Sequence, residues 1–397
     1  MKNNAQKPVG KADIAVYTLT SELHNEESVR ETTREFLGSL DVEMAFIGND
    51  YSDYGTHTLN LIYIRTGGTE GLFSRLLPTL RKQSQQPFYL LTSGKSNSLA
   101  ASMEILAFLR LQGLKGEILH GSASFVSQRI RLLAQVHKAG RQLTGLRLGV
   151  VGKPSDWLIA SQADYDIVRK RLGLELVDVP MQELLDHLPA VAEGKEGAMQ
   201  IYHALRELVF RCRLNGFTLR CFDLLAARRN TGCLALAMLN AEGVVAGCEG
   251  DVPTMLTMQI ARVLTGVSGF QANPATVNPE TGEVLFAHCT IPLNMVERYE
   301  LDTHFESGIG VGIRGYMKEG PVTIFKVSGD LSRWFVAEGE LVHSQSEPNL
   351  CRTQQLIRLN DPACTTTFLT HPIGNHHVVL PGHHRKLLEA FAEVFLS

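Results

Sequence analysis

Residues 246–263 read Ala246-Gly247-Cys248-Glu249-Gly250-Asp251-Val252-Pro253-Thr254-Met255-Leu256-Thr257-Met258-Gln259-Ile260-Ala261-Arg262-Val263, and this junction decides the fold. Gly243-Val244-Val245-Ala246 reads as a short buried strand after the turn Asn240-Ala241-Glu242-Gly243. Asp251 and Pro253 read as the cap and first turn of a helix whose apolar face is Leu256, Ile260 and Val263. Glu249 therefore stands between the carboxyl end of a strand and the start of a helix, the crevice in which open α/β sheets bind ligands. Glycines on either side, Gly247 and Gly250, let backbone or ligand come close.

Upstream, short apolar runs alternate with helical periods. Ile14–Tyr17, Met44–Ile47, Leu59–Ile64, Phe88–Leu91 and Glu117–Leu119 read as strands, with helices clearest at Ser98–Leu111 and Ser124–Val136. That alternation predicts a parallel sheet flanked by helices. A second α/β unit starts at Leu146–Val151 and continues through a helix near Gln162–Leu172, the strand Leu176–Val179 and a long helical stretch from Met181 to Cys212. After about residue 270 the texture becomes strand and turn: Thr276–Phe286 reads as a hairpin, and Pro321–Val327 and Trp334–Val336 as further strands. Only Arg385–Leu396 is clearly helical there. The expected fold class is α/β, with two parallel-sheet domains, 1–143 and 144–268, followed by a mainly antiparallel β domain, 269–397.

With 397 residues, two or three cores are expected. A formal net charge of −3 and no run of like charges argue against a nucleic-acid partner. The N-terminus lacks the apolar run of a signal peptide and no stretch is long enough to span a bilayer, so no membrane partner and a cytoplasmic location are expected. All 7 cysteines lie from Cys212 onward without a Cys-x-x-Cys pair, which fits reduced, mostly buried thiols.

Four places offer metal ligands or acid/base groups: Glu249 with Asp251, His288, the pair His376 and His377, and the pair His383 and His384. A carboxylate and imidazoles from separate elements can hold Mn²⁺, Zn²⁺ or Fe²⁺. The plainer alternatives are a helix cap for Asp251, an ion-paired loop carboxylate for Glu249 and a hydrogen-bonded core histidine for His288. Neighbours on a strand point to opposite faces, so at most one of His376 and His377 enters a given site. His383 and His384, after a Pro-Gly turn, read as surface residues. Ser93-Gly94-Lys95-Ser96 ends like a nucleotide-binding loop, but its first required glycine is Tyr89. Arg65-Thr66-Gly67-Gly68-Thr69-Glu70 reads either as a hydroxyl-binding turn or as a tight turn needing glycine for backbone reasons.

The order Ala-Gly-Cys-Glu-Gly-Asp, helix, Phe270-Gln271-Ala272-Asn273-Pro274, an Asn-Pro-Glu-Thr-Gly turn and Val-Leu-Phe-Ala-His288-Cys resembles the active-site half of the L-fucose isomerase and L-arabinose isomerase superfamily. Arg65–Glu70, Lys153–Ile159, Gly320–Thr323 and Gly374–His377 extend the likeness over most of the chain. The resemblance implies aldose–ketose interconversion through a cis-enediol on a fucose- or arabinose-like small-molecule sugar, with Mn²⁺ or another divalent metal. It also implies a homo-oligomer, a trimer or hexamer, with active sites between subunits. Glu249 matches the first metal carboxylate and proton carrier, one of His376 and His377 the C-terminal ligand, and His288 the imidazole of arabinose isomerases. Gly68, Thr69, Glu70, Trp157 and Asp251 are carried over as substrate-binding. Asn273, or Ala272 if the alignment slips by one, departs from the pattern: the resemblance expects the second metal and acid/base carboxylate there, and neither residue carries a negative charge. A non-catalytic carbohydrate-binding or regulatory relative is the alternative that this departure motivates.

Overall fold

The computed structural model describes residues 13–396, so the N-terminal segment read for a leader lies outside the described residues. The chain forms two compact units that meet in sequence at Arg141 and Gln142. In the first, strands β1 (Ile14–Leu19), β2 (Phe46–Gly48), β3 (Leu59–Ile64), β4 (Phe88–Leu91) and β5 (Gly116–Leu119) form a parallel sheet in the order β2-β1-β3-β4-β5. Helices α1 (Glu26–Ser39), α2 (Glu70–Gln83), α3 (Ser98–Leu111) and α4 (Ala123–Leu143) alternate with the strands. Every residue of β1, β3 and β4 is buried, the pattern of strands covered by helices on both faces.

The second unit holds a parallel sheet, an antiparallel barrel and a two-stranded ribbon. Strands β6 (Arg147–Val151), β7 (Glu175–Val179), β8 (Gly216–Leu219) and β9 (Val245–Gly247) run parallel in the order β7-β6-β8-β9. Their helices are α5 (Tyr165–Leu172), α6 (Met181–Leu185), α7 (Gly194–Arg211), α8 (Cys221–Arg228), α9 (Cys233–Ala241) and α10 (Val252–Thr265). The helix expected from Gln162 begins at Tyr165, because Asp164 caps it by accepting from the Asp166 and Ile167 amides. The stretch expected to be one helix from Met181 to Cys212 is two, α6 and α7; Pro189 lies in the break, where its missing N–H costs a helix nothing.

The third set of strands closes into an antiparallel barrel. Strands β10 (Phe270–Asn278), β11 (Glu283–His288), β12 (Val296–Asp302), β13 (Gly312–Met317), β14 (Gly320–Val327), β15 (Trp334–Gln345), β16 (Thr353–Leu359) and β17 (His377–Pro381) follow one another, with α11 (Thr365–Thr370) before β17 and α12 (Arg385–Phe395) after it. The barrel order is β10-β11-β16-β15-β14-β17, and β12 with β13 forms a separate ribbon. The overall class is thus α/β, with two parallel sheets and an antiparallel barrel. The second expected boundary, at 268, falls inside one compact unit. The reason is α10, which packs against β8 and β9 on one side and against β14 and β17 on the other. It is accordingly buried all round from Val252 to Ala261, not along one stripe, and Val263 is only half-buried while Leu264 is inside.

Among the described residues no helix is long and apolar enough to cross a membrane. All seven cysteines are free thiols; Cys221, Cys233, Cys248 and Cys289 are buried and the other three half-buried.

Candidate metal centre

Glu249 lies in the loop between β9 and α10, at the carboxyl end of the second parallel sheet. Its backbone is left-handed, with φ 62°, and Gly250 follows at φ 63°. For a residue with a Cβ this conformation costs roughly 1–2 kcal/mol. Three sets of hydrogen bonds hold the loop. The Gly250 amide donates to Leu219 O at 2.9 Å and the Ser155 amide donates to Gly250 O at 3.2 Å. Gln271 on β10 grips Cys248 at both ends, accepting from its amide at 2.8 Å and donating to its carbonyl at 3.2 Å. The barrel and the β9 loop are thereby fixed to each other beside the carboxylate.

Glu249 Oε1 is 3.5 Å from Nε2 of both His288 and His376. Together the three side chains place one ligand atom each within 4.8 Å of one another. His288 ends β11 and His376 immediately precedes β17. Their rings stand edge to face at a centroid distance of 5.2 Å. Strand β10 runs between those two strands in the barrel. In its register Ala272 pairs with His377 and Asn273 with Ala287, each one residue from an imidazole of the cluster.

Behind His376 lies a second buried group. His376 Nδ1 donates to Asp251 Oδ2 at 2.9 Å, and the Lys326 ammonium on β14 is 3.8 Å from the same oxygen. Asp251 Oδ1 accepts from the Thr254 amide at 2.8 Å and caps α10. Lys326 Nζ donates to Thr254 Oγ1 at 2.7 Å. The side chains of Asp251, Lys326 and His376 are all 0% exposed.

Charge and burial work against each other here. Burial would raise the Glu249 carboxyl, but the imidazoles of His288 and His376, each 3.5 Å away, overcome it and hold the carboxylate well below its usual range. Burial is likewise overcome at Asp251, where Lys326 and His376 bring the carboxyl down to about 2. Burial lowers His376, yet Asp251 and Glu249 lift it to about 9. A position where two carboxylates favour a positive charge this strongly suits a cation as well as a proton.

His377 does not face the cluster: its Nδ1 donates to Asn375 O at 3.1 Å, and its ring is packed against Phe286, Phe335 and Phe368. Burial and the Lys326 charge bring it down to about 3, so it is a neutral core histidine. As strand alternation requires, one of the adjacent pair enters the site and it is His376. Asp251, read as a cap or a sugar contact, is a cap; its full burial and occupied oxygens leave nothing for a sugar. Asn273 Oδ1 is buried without a hydrogen-bond partner. Trp157 is 38% exposed, with its indole N–H directed at Glu249 Oε2 from 3.5 Å, the Arg220 guanidinium over its ring and Phe222 at its edge. Gly68, Thr69 and Glu70 lie in the first unit, between β3 and the start of α2, where the Thr69 hydroxyl donates to Thr66 O inside the turn. His383 is exposed, whereas His384 is half-buried with Nε2 donating to Pro381 O at 2.8 Å.

Sequence reasoning missed Lys326 and Gln271. Lys326 had a signal: it is a lysine inside the apolar run Ile324-Phe325-Lys326-Val327, in a strand whose residues from Val322 to Val327 are all buried. Gln271, a polar residue between buried Phe270 and Ala272, left a weaker one.

The donor set fits a divalent transition metal. One carboxylate and two imidazoles converge, and His376 Nε2 is a buried nitrogen without a hydrogen-bond partner. No family model matches the chain. It is similar to three curated proteins named sulfoquinovose isomerase. Identity to that of Alkalicoccus urumqiensis is 23% over 230 residues, 51% of this chain and 52% of the relative. Identity to that of Clostridium sp. (strain MSTE9) is 27% over 142 residues, 36% and 30% respectively. Identity to that of Priestia aryabhattai is 24% over 229 residues, 50% and 51%. The chain spans about half the length of the first of these relatives and of the Priestia protein, and less of the Clostridium one. These relatives are, by name, isomerases of a sugar.

Proposed function

We propose that the protein is a metal-dependent aldose–ketose isomerase of the fucose and arabinose isomerase-like kind, working through a cis-enediol. The observation that carries this reading is the convergence of Glu249, His288 and His376 at the carboxyl edge of a parallel sheet. Names of the relatives that match half the chain support the same class of reaction. Glu249, His288 and His376 would hold the metal, Mn²⁺ by the resemblance, and the bound ion supplies a Lewis acid that polarises the sugar's carbonyl and hydroxyl oxygens.

Glu249 is the carboxylate, the form that can accept a proton, although the imidazoles that hold it ionised also make it a weaker base. In the reaction it takes the proton from C2 of the aldose and returns it to C1 while the hydroxyl proton passes from O2 to O1, and a positioned carboxylate accelerates the carbon proton transfer by roughly 10²- to 10⁴-fold. His288 is oriented by Thr290 Oγ1 at 3.0 Å from its Nδ1, which leaves Nε2 toward Glu249. Trp157, fixed at its N–H, one face and one edge, offers the sugar an apolar surface at the mouth of the site. Assembly as a homo-oligomer belongs to the same reading.

The test is turnover of an aldose panel, including sulfoquinovose, L-fucose and L-arabinose, by purified protein with Mn²⁺. Ketose should form from at least one member, and Glu249→Gln should lower the rate at least about 100-fold. Failure of every aldose at every Mn²⁺ concentration would sink the reading.

A further inference from the structure

The ion pair behind His376 is more elaborate than helix capping needs. Asp251 already caps α10 through Oδ1, which accepts from the Thr254 amide. Its other oxygen collects both the His376 imidazole and the Lys326 ammonium, and all three side chains are fully out of solvent. Burying such ions is costly, and an apolar set of similar volume is often as stable or more so. Stability alone therefore gives no reason to bury a lysine at this end of β14. What the arrangement does achieve is orientation. The Lys326 ammonium is tied to Thr254 Oγ1, in the first turn of the helix that Asp251 caps, so both oxygens of the carboxylate have fixed partners. A carboxylate accepting from Nδ1 requires the proton there, which leaves Nε2 to face Glu249 and His288.

We propose that Asp251, itself held by Lys326, is a positioning residue that fixes the His376 ring and tautomer so that the Nε2 lone pair is presented to a divalent cation shared with Glu249 and His288. This rests on the metal-dependent reading above. Partners of this kind, one bond removed from the metal, typically change affinity by about 10- to 100-fold when removed. Lys326 reaches His376 only through Asp251, whose Oδ2 it holds in place from its anchor on Thr254.

The experiment is Mn²⁺ binding to the full chain, read from the electron paramagnetic resonance signal of the free ion, with melting of the metal-free protein recorded beside it. Asp251→Asn can keep the cap through its amide oxygen, but then turns an N–H toward His376 Nδ1. It is expected to weaken Mn²⁺ binding about 10- to 100-fold. A folded Asp251→Asn protein with unchanged Mn²⁺ affinity overturns the proposal. A wild-type protein that binds no Mn²⁺ overturns it too.

Should Asp251→Asn fail to fold, ¹⁵N chemical shifts of histidine in the Zn²⁺-loaded wild-type protein decide the point: Nδ1 of His376 must keep its proton while Nε2 carries the metal, and the reverse assignment refutes the idea. Wild-type protein that binds Mn²⁺ normally yet converts no aldose would refute the isomerase reading alone, since the affinity measurements do not depend on turnover.

Discussion

Gly250→Ala tests whether the loop carrying Glu249 is built as tightly as it looks. Gly250 has φ 63°, and a Cβ placed there would sit 3.0 Å from both Lys153 O and Ser155 N. The left-handed conformation costs a residue with a Cβ roughly 1–2 kcal/mol. The close atoms are backbone, so they can yield only by moving the Lys153–Ser155 segment, and that stretches the 3.2 Å bond from the Ser155 amide to Gly250 O. Losing much of that bond adds about 1 kcal/mol. The total is about 2–3 kcal/mol, which for a unit of this size lowers the melting temperature by roughly 4–12 °C. Gly266→Ala is the matched control: Gly266 caps α10 at φ 74°, and a Cβ placed there meets no atom within 4 Å, so it suffers the backbone cost alone. Calorimetry of the two variants isolates the contact with Lys153 and Ser155. A second readout is Mn²⁺ affinity, which Gly250→Ala should weaken by displacing Glu249 and Gly266→Ala should leave alone. Equal melting temperatures for the two variants would refute the reasoning.

Two further outcomes follow from groups away from the ligands themselves. Gln271→Leu leaves the Cys248 amide buried without its acceptor, at about 1–3 kcal/mol, and frees the β9 loop from β10; both the melting temperature and Mn²⁺ affinity should fall, and an unchanged affinity would mean that the clamp does not position Glu249. In the first unit, burial and then the Arg141 charge bring His137 down to about 4, and it shares a 2.7 Å hydrogen bond with the Tyr89 hydroxyl. Above its unfolded value near 6.5 the imidazole is neutral in both states and contributes no pH dependence. As pH falls from there toward 4, the unfolded chain binds a proton that the folded unit refuses, so stability drops by about 1.4 kcal/mol per pH unit, up to about 3 kcal/mol. Urea denaturation at about pH 7.5 and about pH 4.5, on either side of most of that window, should show this loss for wild type and a smaller one for His137→Gln; identical losses would refute the assignment.

Where local physics decided the outcome, the sequence was readable. Apolar runs too short for helices became the strands of both parallel sheets, and Asp251 followed by Pro253 became a helix cap and first turn, because strand burial and capping depend on neighbours in the chain. Helical periodicity carried across Pro189 where the chain in fact breaks between α6 and α7, and the single apolar stripe predicted for α10 fails because a barrel covers its far side. Tertiary contact, which no period reveals, makes that helix buried all round. The same limit applies to the site. Glu249 is legible from its place between strand and helix, but the choice of His376 over His377 needs the register of β17 against β10. Asp251 looks like a cap and is one, yet its second oxygen serves a histidine 125 positions away, which capping rules cannot anticipate.

Asn273 shows how far the departure from the expected ligand pattern reaches. Its strand β10 pairs with β11, which ends at His288, and with β17, which follows His376, and its buried amide oxygen has no hydrogen-bond partner. Asp251 does not replace the missing carboxylate charge, because Lys326 lies 3.8 Å away and makes the buried pair neutral overall. The cluster therefore offers a divalent ion one carboxylate and two imidazoles, a set better matched to Mn²⁺, Fe²⁺ or Zn²⁺ than to the oxygen-preferring Mg²⁺ or Ca²⁺. Restoring a carboxylate with Asn273→Asp should accordingly shift the metal preference toward the harder ions, and Mg²⁺ competition against bound Mn²⁺ would read that shift directly. No gain in Mg²⁺ competition would place Asn273 outside the reach of the cation.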